Sequence, residues 1–287
     1  MSRVMLTAVL ALALVGGTGC AGGNEAEPAV VAVEVAPSGE GRFELTAPRS
    51  IEAGLVRLEV RNRTKDDAFA DLLRLDDGHS IEEALKAVRS GDGSIPAWMR
   101  AVGGVGFVEP GAVGVGELVL AEGRYHLVDV GEPAGDDVRS HAENGATAVL
   151  EVTAGDSDAE LPDVDASIEM GDYNFIPTGL RAGTNRVRLA NIGEEVHHTL
   201  VVPIRDGATW DDVREFATSP GSPPDGPPPL DFSRISGTST LDPGRELIAE
   251  LELAAGRYAF VCFISDREGG PPHVAKGMLR EVTISDE

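Results

Sequence analysis

The C-terminal part of the chain contains side chains that commonly bind metal ions. These are Cys262, His273 and Met278, with the adjacent pair His197 and His198 further upstream. A thiolate, two imidazoles and a thioether form the ligand set of mononuclear copper sites that transfer single electrons. Because adjacent residues on a strand face opposite sides, only one of His197 and His198 is expected to bind, and the spacing leaves the choice open.

The first residues have the pattern of an export signal. Arg3 precedes an apolar run from Val4 to Val15 that is too short to cross a membrane, and small residues lead to Cys20. This pattern resembles a bacterial lipoprotein signal, which implies that cleavage makes Cys20 the first residue of the mature chain and that lipid on Cys20 anchors the protein to the outer face of the cell membrane. Gly17 stands where such signals usually have an aliphatic residue, so cleavage without lipidation is the alternative.

Apart from Cys20, Cys262 is the only cysteine. It therefore has no partner for an internal disulfide, and a free thiol outside the cell needs burial or a bound metal. Considered alone, Cys262 is better interpreted as a small buried core residue, since free cysteine is among the most buried residue types. Only its combination with the two imidazoles and the thioether favours a metal site.

The same series of sequence signals occurs in each half of the chain. Each half has a strand-like run that ends in Asn, a short capped helix, a Pro-Gly turn and a Gly-Arg-Tyr segment. The paired segments are Asn62 and Asn191, Ser80–Val88 and Thr209–Phe216, Pro110-Gly111 and Pro243-Gly244, and Gly123-Arg124-Tyr125 and Gly256-Arg257-Tyr258. Alternating apolar and polar residues between short turns are typical of antiparallel sandwiches. The sequence predicts an all-β protein of two tandem β-sandwiches, each with one inserted helix.

The second copy resembles the cupredoxin family, and plastocyanin-like proteins in particular. The resemblance lies in the strand Gly256–Cys262, in the loop Pro272–Met278, and in the segment Asn191–His198, which resembles the strand end that carries the first His. It implies Greek-key sandwiches and one copper ion bound by His197, Cys262, His273 and axial Met278. One feature departs from the family: residues 263–272 separate Cys262 from His273, where the family has two to four residues. A loop of this length is expected to constrain a metal less tightly.

The repeat predicts the organisation of the chain. We expect a signal at 1–20, a tether at 21–38, a cupredoxin-like domain without metal ligands at 39–155, a linker at 156–165 and the copper-binding domain at 166–287. In the first copy, sequence alignment places Ala68, Phe69 and Asp129 opposite His197, His198 and Cys262. The same alignment places Glu143 and Ala148 opposite His273 and Met278. The other histidines, His79, His126 and His141, are expected to be ordinary residues.

The net charge and the sequence motifs limit the classes of function that are expected for this protein. A formal net charge of −24 excludes a typical nucleic-acid binder and favours basic partners. No catalytic triad or phosphate-binding loop stands out, so we expect no enzymatic turnover. The expected function is a one-electron carrier that meets a redox partner protein at the membrane surface. The alternatives are a copper carrier without redox activity and a metal-free interaction or ligand-binding module.

Overall fold

The computed structural model describes residues 27–90, 93–133, 139–219 and 227–286. The strands and the helix of the N-terminal half are β1 (Ala29–Gly39), β2 (Arg42–Thr46), β3 (Ser50–Glu52), β4 (Gly54–Asn62), β5 (Ala68–Leu75), α1 (Ile81–Ser90), β6 (Met99–Val108), β7 (Val113–Leu120), β8 (Gly123–Val128) and β9 (Thr147–Thr153). Those of the C-terminal half are β10 (Ala166–Gly171), β11 (Asn174–Thr178), β12 (Gly183–Asn191), β13 (Leu200–Pro203), α2 (Trp210–Thr218), β14 (Ser236–Gly237), β15 (Glu246–Leu253), β16 (Gly256–Val261) and β17 (Leu279–Ile284). Among the described residues, no helix is long and apolar enough to cross a membrane.

One eight-stranded sheet runs through both halves, with the strand order β11-β10-β12-β15-β7-β4-β1-β2. The halves meet where β7 pairs with β15, through Glu117 with Ile248 and Gly116 with Ala249. A five-stranded sheet, β3-β9-β8-β5-β6, packs on the N-terminal part, and a four-stranded sheet, β14-β13-β16-β17, on the C-terminal part. The structure confirms the all-β class, with two β-sandwiches and one short α-helix in the described part of each.

Strand β1 corrects one expectation. Val31, Val33 and Val35 alternate with exposed residues and are buried, as in a strand with one face on a core. Because β1 also pairs in parallel with β4, it belongs to the sandwich. The expected tether at 21–38 is therefore wrong for residues 29–38. Residues 21–26, the expected signal at 1–20 and Cys20 lie outside the described residues. Residues 156–165 contain neither helix nor strand.

The two halves repeat the same hydrogen bonds at their matched residues. The side-chain amide of Asn62 donates to the carbonyls of Asp66 and Val108 at 2.7 Å, and that of Asn191 donates to Glu195 and Leu241 at 2.7 and 2.8 Å. These bonds satisfy buried backbone oxygens, and so they fix the turn that follows β4 and β12.

The tyrosines of the two Gly-Arg-Tyr segments also correspond. Tyr125 donates to the carbonyl of Ala121 at 2.8 Å, and Tyr258 donates to Ala254 at 3.0 Å. Each bond lets a buried ring keep its hydroxyl paired while it closes the turn before its own strand. The repeated sequence signals thus correspond to repeated structure.

Helices α1 and α2 begin where the sequence predicts. Ser80 accepts from the backbone N–H of Glu83, whose carboxylate accepts from the N–H of Ser80. Thr209 and Asp212 form the same reciprocal capping box before α2. One helix therefore starts at the same place in each half.

Glycines let the two halves approach closely. A side chain at Gly103 would lie 2.7 Å from a methyl group of Leu247, and one at Gly106 would lie 2.9 Å from the carbonyl oxygen of Gly237. The glycine-rich segment of β6 therefore serves contact between the halves. Beside it, Asp242 accepts from the N–H of Ala101 and donates its own N–H to the same residue's carbonyl, both at 2.9 Å.

A substitution of Glu117 tests the contact between the two halves. Its carboxylate is nearly buried and accepts from Arg57 and from Arg186, which belongs to the other half, each at 2.7 Å. We expect Glu117→Gln to lower the free energy of unfolding by about 1–2 kcal/mol, because two partly exposed guanidinium groups lose a shared carboxylate. Urea denaturation measures this change. Glu250→Gln, which removes a half-exposed carboxylate 3.9 Å from Arg57, is the control and should change it by less than about 0.5 kcal/mol. Equal effects would contradict this role of Glu117.

Candidate metal centre

Three separate segments deliver the potential ligands to one end of the C-terminal sandwich. Cys262 follows directly after β16, in the central part of the four-stranded sheet. His197 forms a backbone bridge with Leu241, through hydrogen bonds of 3.1 and 2.8 Å. His273 begins a 3₁₀ turn, His273–Lys276, and its N–H donates to the carbonyl of Ile264 at 2.8 Å. Backbone bonds therefore fix all three residues.

The three donor atoms converge in a buried position. Nδ1 of His197 lies 3.1 Å from Nδ1 of His273, and the same atom of His273 lies 3.5 Å from Sγ of Cys262. All three residues have no exposed surface. They form a group of possible ligands whose donor atoms all lie within 4.8 Å of one another.

A carboxylate occupies the far side of each imidazole. Nε2 of His197 lies 2.9 Å from Asp172 Oδ1, and Nε2 of His273 lies 3.0 Å from Asp266 Oδ1. Because an ionised carboxylate only accepts, both Nε2 atoms must donate. In the neutral rings, both Nδ1 atoms then carry lone pairs. Two lone pairs that face each other at 3.1 Å repel unless a cation lies between them.

The distances fit a metal ion. For tetrahedral angles and the bond lengths of a zinc site, two nitrogens around one ion are separated by roughly 3.3 Å, and a nitrogen and a sulfur by roughly 3.6 Å. The observed separations are 3.1 and 3.5 Å. Burial lowers the pKa of both His197 and His273, although the carboxylates act against this effect, so a proton is a poor substitute for the metal.

Asp172 and Asp266 are residues that the sequence analysis missed. Asp172 accepts from the backbone N–H groups of Glu194 and Glu195 at 2.8 and 3.2 Å, which holds it against His197. Although burial alone would raise the pKa of Asp172, these bonds and the His197 bond lower it. Asp172 lies 25 residues from His197 in sequence, and Asp266 lies in the irregular loop before His273. No spacing rule therefore identifies either carboxylate.

Lys276 and Tyr173 hold Asp266 in place. The Lys276 ammonium contacts one carboxylate oxygen, and the Tyr173 hydroxyl donates to the other at 2.9 Å. The partial burial of Asp266 raises its pKa, but these bonds more than offset that effect and lower it. The carboxylate therefore stays ionised beside His273.

The structure separates His197 from His198. Nε2 of His198 accepts from the backbone N–H of Phe263 at 3.1 Å, outside the group of converging donors. Burial, with His197 and His273 nearby, lowers the pKa of His198 to about 4. His198 thus supports the backbone next to Cys262, and His197 carries the donor atom.

Met278 is fully buried beside the other residues of the group. Its N–H donates to the carbonyl of His273 at 2.9 Å, and its carbonyl accepts from the N–H of Cys262 at 3.3 Å. These two bonds place the backbone of Met278 between the second imidazole and the thiol.

The Cys262 thiol is protected by its surroundings. Burial raises the pKa of the thiol to about 11, so without a metal it is protonated at neutral pH. A protonated and buried thiol reacts slowly with oxidants, because the thiolate is the reactive form. Metal binding releases this proton, since the bound form is the thiolate.

The long loop between Cys262 and His273 is held by the N-terminal half. The Arg267 guanidinium donates to the carbonyls of Ile95, Pro96 and Met99 at 3.1, 2.7 and 3.1 Å, and to Asp242 at 2.6 Å. Charge-assisted hydrogen bonds of this kind are about twice as strong as neutral ones. These bonds anchor the ten-residue loop to the N-terminal half and to Asp242, and they oppose the loss of constraint expected from its length.

The corresponding site of the N-terminal half has different residues, and the strand register corrects the sequence alignment. The N–H of Asp129 donates to Ala146 as that of Cys262 donates to Met278, and the N–H of Ala146 donates to His141 as that of Met278 donates to His273. His141 and Ala146, rather than Glu143 and Ala148, are therefore the counterparts of His273 and Met278.

His141 is thus not an ordinary residue. Its Nδ1 lies 2.8 Å from Asp129 Oδ2, both side chains are fully buried, and Ala68 stands at the position of His197. A hydrogen bond between imidazole and carboxylate in the N-terminal half replaces the arrangement of imidazole and thiol. The N-terminal half therefore shows which side chains occupy this end of the sandwich when the possible metal ligands are replaced.

Comparisons with known proteins identify only distant likenesses. No model of a protein family and no curated protein sequence matches the chain. Among solved structures, auracyanin B is 21% identical over 45% of this chain and 92% of that chain, with a TM-score of 0.31. Reduced auracyanin from Roseiflexus castenholzii is 24% identical over 41% of this chain and 94% of its own (TM-score 0.25), and a multicopper oxidase is 12% identical over 89% and 88% (TM-score 0.23). At these scores the likeness assigns no role to any residue.

Arg267→Ala tests whether the N-terminal half holds the loop. We expect amide hydrogen exchange within residues 263–272 to accelerate by more than about tenfold, because hydrogen bonds from a charged group contribute roughly 1.5–3 kcal/mol each. Hydrogen exchange with mass spectrometry measures the change on the metal-free protein. Arg280→Ala, at an exposed position of β17, is the matched control and should leave the loop unchanged. Unchanged exchange in Arg267→Ala would show that the loop holds itself.

Asp266→Ala tests the carboxylate behind His273. We expect a roughly 10–100-fold loss of Cu(II) affinity, because the partner of a ligating imidazole orients the ring and raises its basicity. Competition with a chelator of known affinity measures this loss. Asp211→Ala, which removes an exposed carboxylate on α2, should leave the affinity unchanged. Equal affinities for the two variants would refute the role of Asp266.

Protonation of His198 predicts a pH dependence of stability for the metal-free protein. Its pKa is about 4 in the folded protein against 6.5 for an unperturbed histidine, so between these values the unfolded chain binds a proton that the folded chain does not. The stability that His198 contributes is therefore complete above pH 6.5 and is lost as the pH falls toward 4, by up to about 1.4 kcal/mol per pH unit.

Urea denaturation across this pH range should show a smaller slope for His198→Gln than for the unmodified protein. His197 and His273, whose pKa values are also lowered, retain part of the slope. An unchanged slope in His198→Gln would contradict this assignment.

Proposed function

We propose that the protein is an exported, membrane-tethered carrier of single electrons with one type 1 copper site in its C-terminal half. His197 and His273 would supply imidazole nitrogens, Cys262 the thiolate and Met278 a thioether. The observation that carries the proposal is the pair of buried Nδ1 atoms, 3.1 Å apart, beside a buried thiol. This donor set, with two His and one Cys, is characteristic of blue-copper chemistry.

The surroundings of the donors support a rigid site. Bound copper would supply one-electron chemistry between Cu(I) and Cu(II). The chain fixes both imidazoles from behind through Asp172 and Asp266, and it fixes the loop through Arg267. Because these groups are already oriented, little rearrangement is needed when the charge of the site changes. Such preorganisation favours electron transfer over release of the metal.

The placement at the membrane rests on the sequence. Residues 1–20 have the pattern of a lipoprotein signal, which supports anchoring through lipid on Cys20 to the outer face of the cell membrane. A formal net charge of −24 supports a basic redox partner and makes nucleic acid an unfavourable one. We propose no turnover of a substrate by this chain.

Copper titration of the mature chain, begun after Cys20, tests the proposed function. Cu(II) added to metal-free protein should produce an intense thiolate-to-copper absorption band and an EPR spectrum with narrow hyperfine splitting, with one ion per chain. Cys262→Ser and His197→Gln should abolish the band. His198→Gln is the matched control, because its side chain bonds to the backbone of Phe263 and should leave the band in place. A reversible one-electron wave in voltammetry should accompany it.

Other outcomes would replace the proposal. Tight copper binding without the absorption band or a reversible wave would indicate a copper carrier without redox activity. Absence of copper binding, together with folding unchanged in a Cys262→Ala, His273→Ala double variant, would indicate a metal-free interaction or ligand-binding module.

A further inference from the structure

A cavity of about 590 Å³ lies beneath helix α1 in the N-terminal half. Its walls are mainly apolar and include Leu73, Ala84, Val88, Met99 and Val128. Voids much larger than a water molecule are rare in protein interiors, whereas pockets for small ligands have volumes of about 300–1,000 Å³. The size and lining of this space are those of a ligand pocket.

The internal repeat shows that the fold does not require this space. Beneath α2, an apolar cluster is packed, and the space beside that helix is a more open groove of about 460 Å³. The cluster consists of Val202, Ile204, Val213, Leu230, Ala259, Val261 and Val274. Ala84 and Val213 are equivalent, because each donates its N–H to the capping residue four positions earlier and each is fully buried. The smaller side chain stands in the half that has the cavity.

Polar groups occupy defined places in the cavity wall. Oδ1 of Asp71 is buried and has no hydrogen-bond partner. Burial raises the pKa of Asp71 to about 7, with the nearby Ser239 hydroxyl acting in the opposite direction. Arg89 and Glu143 form an ion pair of 2.6 Å at a partly exposed part of the wall. Asp71 as a whole is only partly buried and lines the cavity, so its carboxylate can accept a hydrogen bond from a ligand, which contributes about 0.5–1.5 kcal/mol net.

We propose that this cavity binds a small neutral molecule with an apolar body and one hydroxyl group that donates to Asp71. Asp71, Glu132 and Glu143 line the same space and disfavour an anionic ligand. The apolar walls disfavour a strongly polar one. The binding site is separate from the copper donors, although Ile264 of the copper loop forms part of its wall.

2-Naphthol is a suitable probe, because it combines an apolar ring system with one hydroxyl donor and is fluorescent. Titration into the metal-free mature chain should give saturable binding of one molecule per chain. Ala84→Phe should weaken binding by more than about tenfold, since the added ring fills the cavity, and Val88→Trp at its edge should act in the same direction if Ala84→Phe does not fold. Ala255→Phe, at an exposed turn, is the control and should leave the affinity unchanged.

Asp71→Leu tests the polar contact. It should weaken 2-naphthol binding by about tenfold, the equivalent of one lost hydrogen bond, and leave 2-methoxynaphthalene, which has no hydroxyl donor, within about threefold. Absence of saturable 2-naphthol binding would overturn the proposal. So would binding that survives Ala84→Phe and Val88→Trp unchanged, or binding that Asp71→Leu weakens equally for both probes.

Discussion

The C-terminal half depends on one structural constraint: the Nδ1 atoms of two buried imidazoles face each other. His197 and His273 lie on segments distant in sequence, and their Nδ1 atoms are 3.1 Å apart because Asp172 and Asp266 bind the opposite nitrogens. Turning either ring would break a hydrogen bond to a carboxylate. The arrangement therefore directs two nitrogen lone pairs and the Cys262 sulfur toward one point, where a bound cation would relieve the repulsion between the lone pairs.

The N-terminal half contributes to this constraint without having the donors itself. It joins the C-terminal half through a continuous sheet, and Arg267 fixes the loop between Cys262 and His273 to its carbonyl groups. In its own equivalent site, Asp129 and His141 form a direct hydrogen bond that needs no metal. The two halves share one fold, but different side chains occupy the same end of the sandwich: Asp129 and His141 in one half, and Cys262 and His273 in the other. A long loop is compatible with a rigid site because its anchor lies on the neighbouring half.

The sequence was sufficient to predict the class of fold, the repeat, both helices and the residues that converge. These follow from local signals, such as capping boxes and alternating apolar residues, or from a resemblance in short motifs. Three features could not be predicted, because they depend on contacts between distant segments: the pairing of β7 with β15, the carboxylates Asp172 and Asp266, and the anchoring by Arg267. The alignment error around His141 arose because the alignment placed the last strands of the two halves two residues out of register: Tyr258 pairs with Val282, and its counterpart Tyr125 pairs with Leu150 rather than Val152.

X-ray absorption spectroscopy at the copper edge tests the central claim most directly. Protein loaded with one equivalent of copper should show one short sulfur scatterer and two nitrogen scatterers of imidazole. The sulfur contribution should disappear in Cys262→Ser, and one imidazole contribution should disappear in His197→Gln while both remain in His198→Gln. A first shell of oxygen and nitrogen alone in the unmodified protein, or a spectrum that Cys262→Ser does not change, would contradict a site formed by these residues.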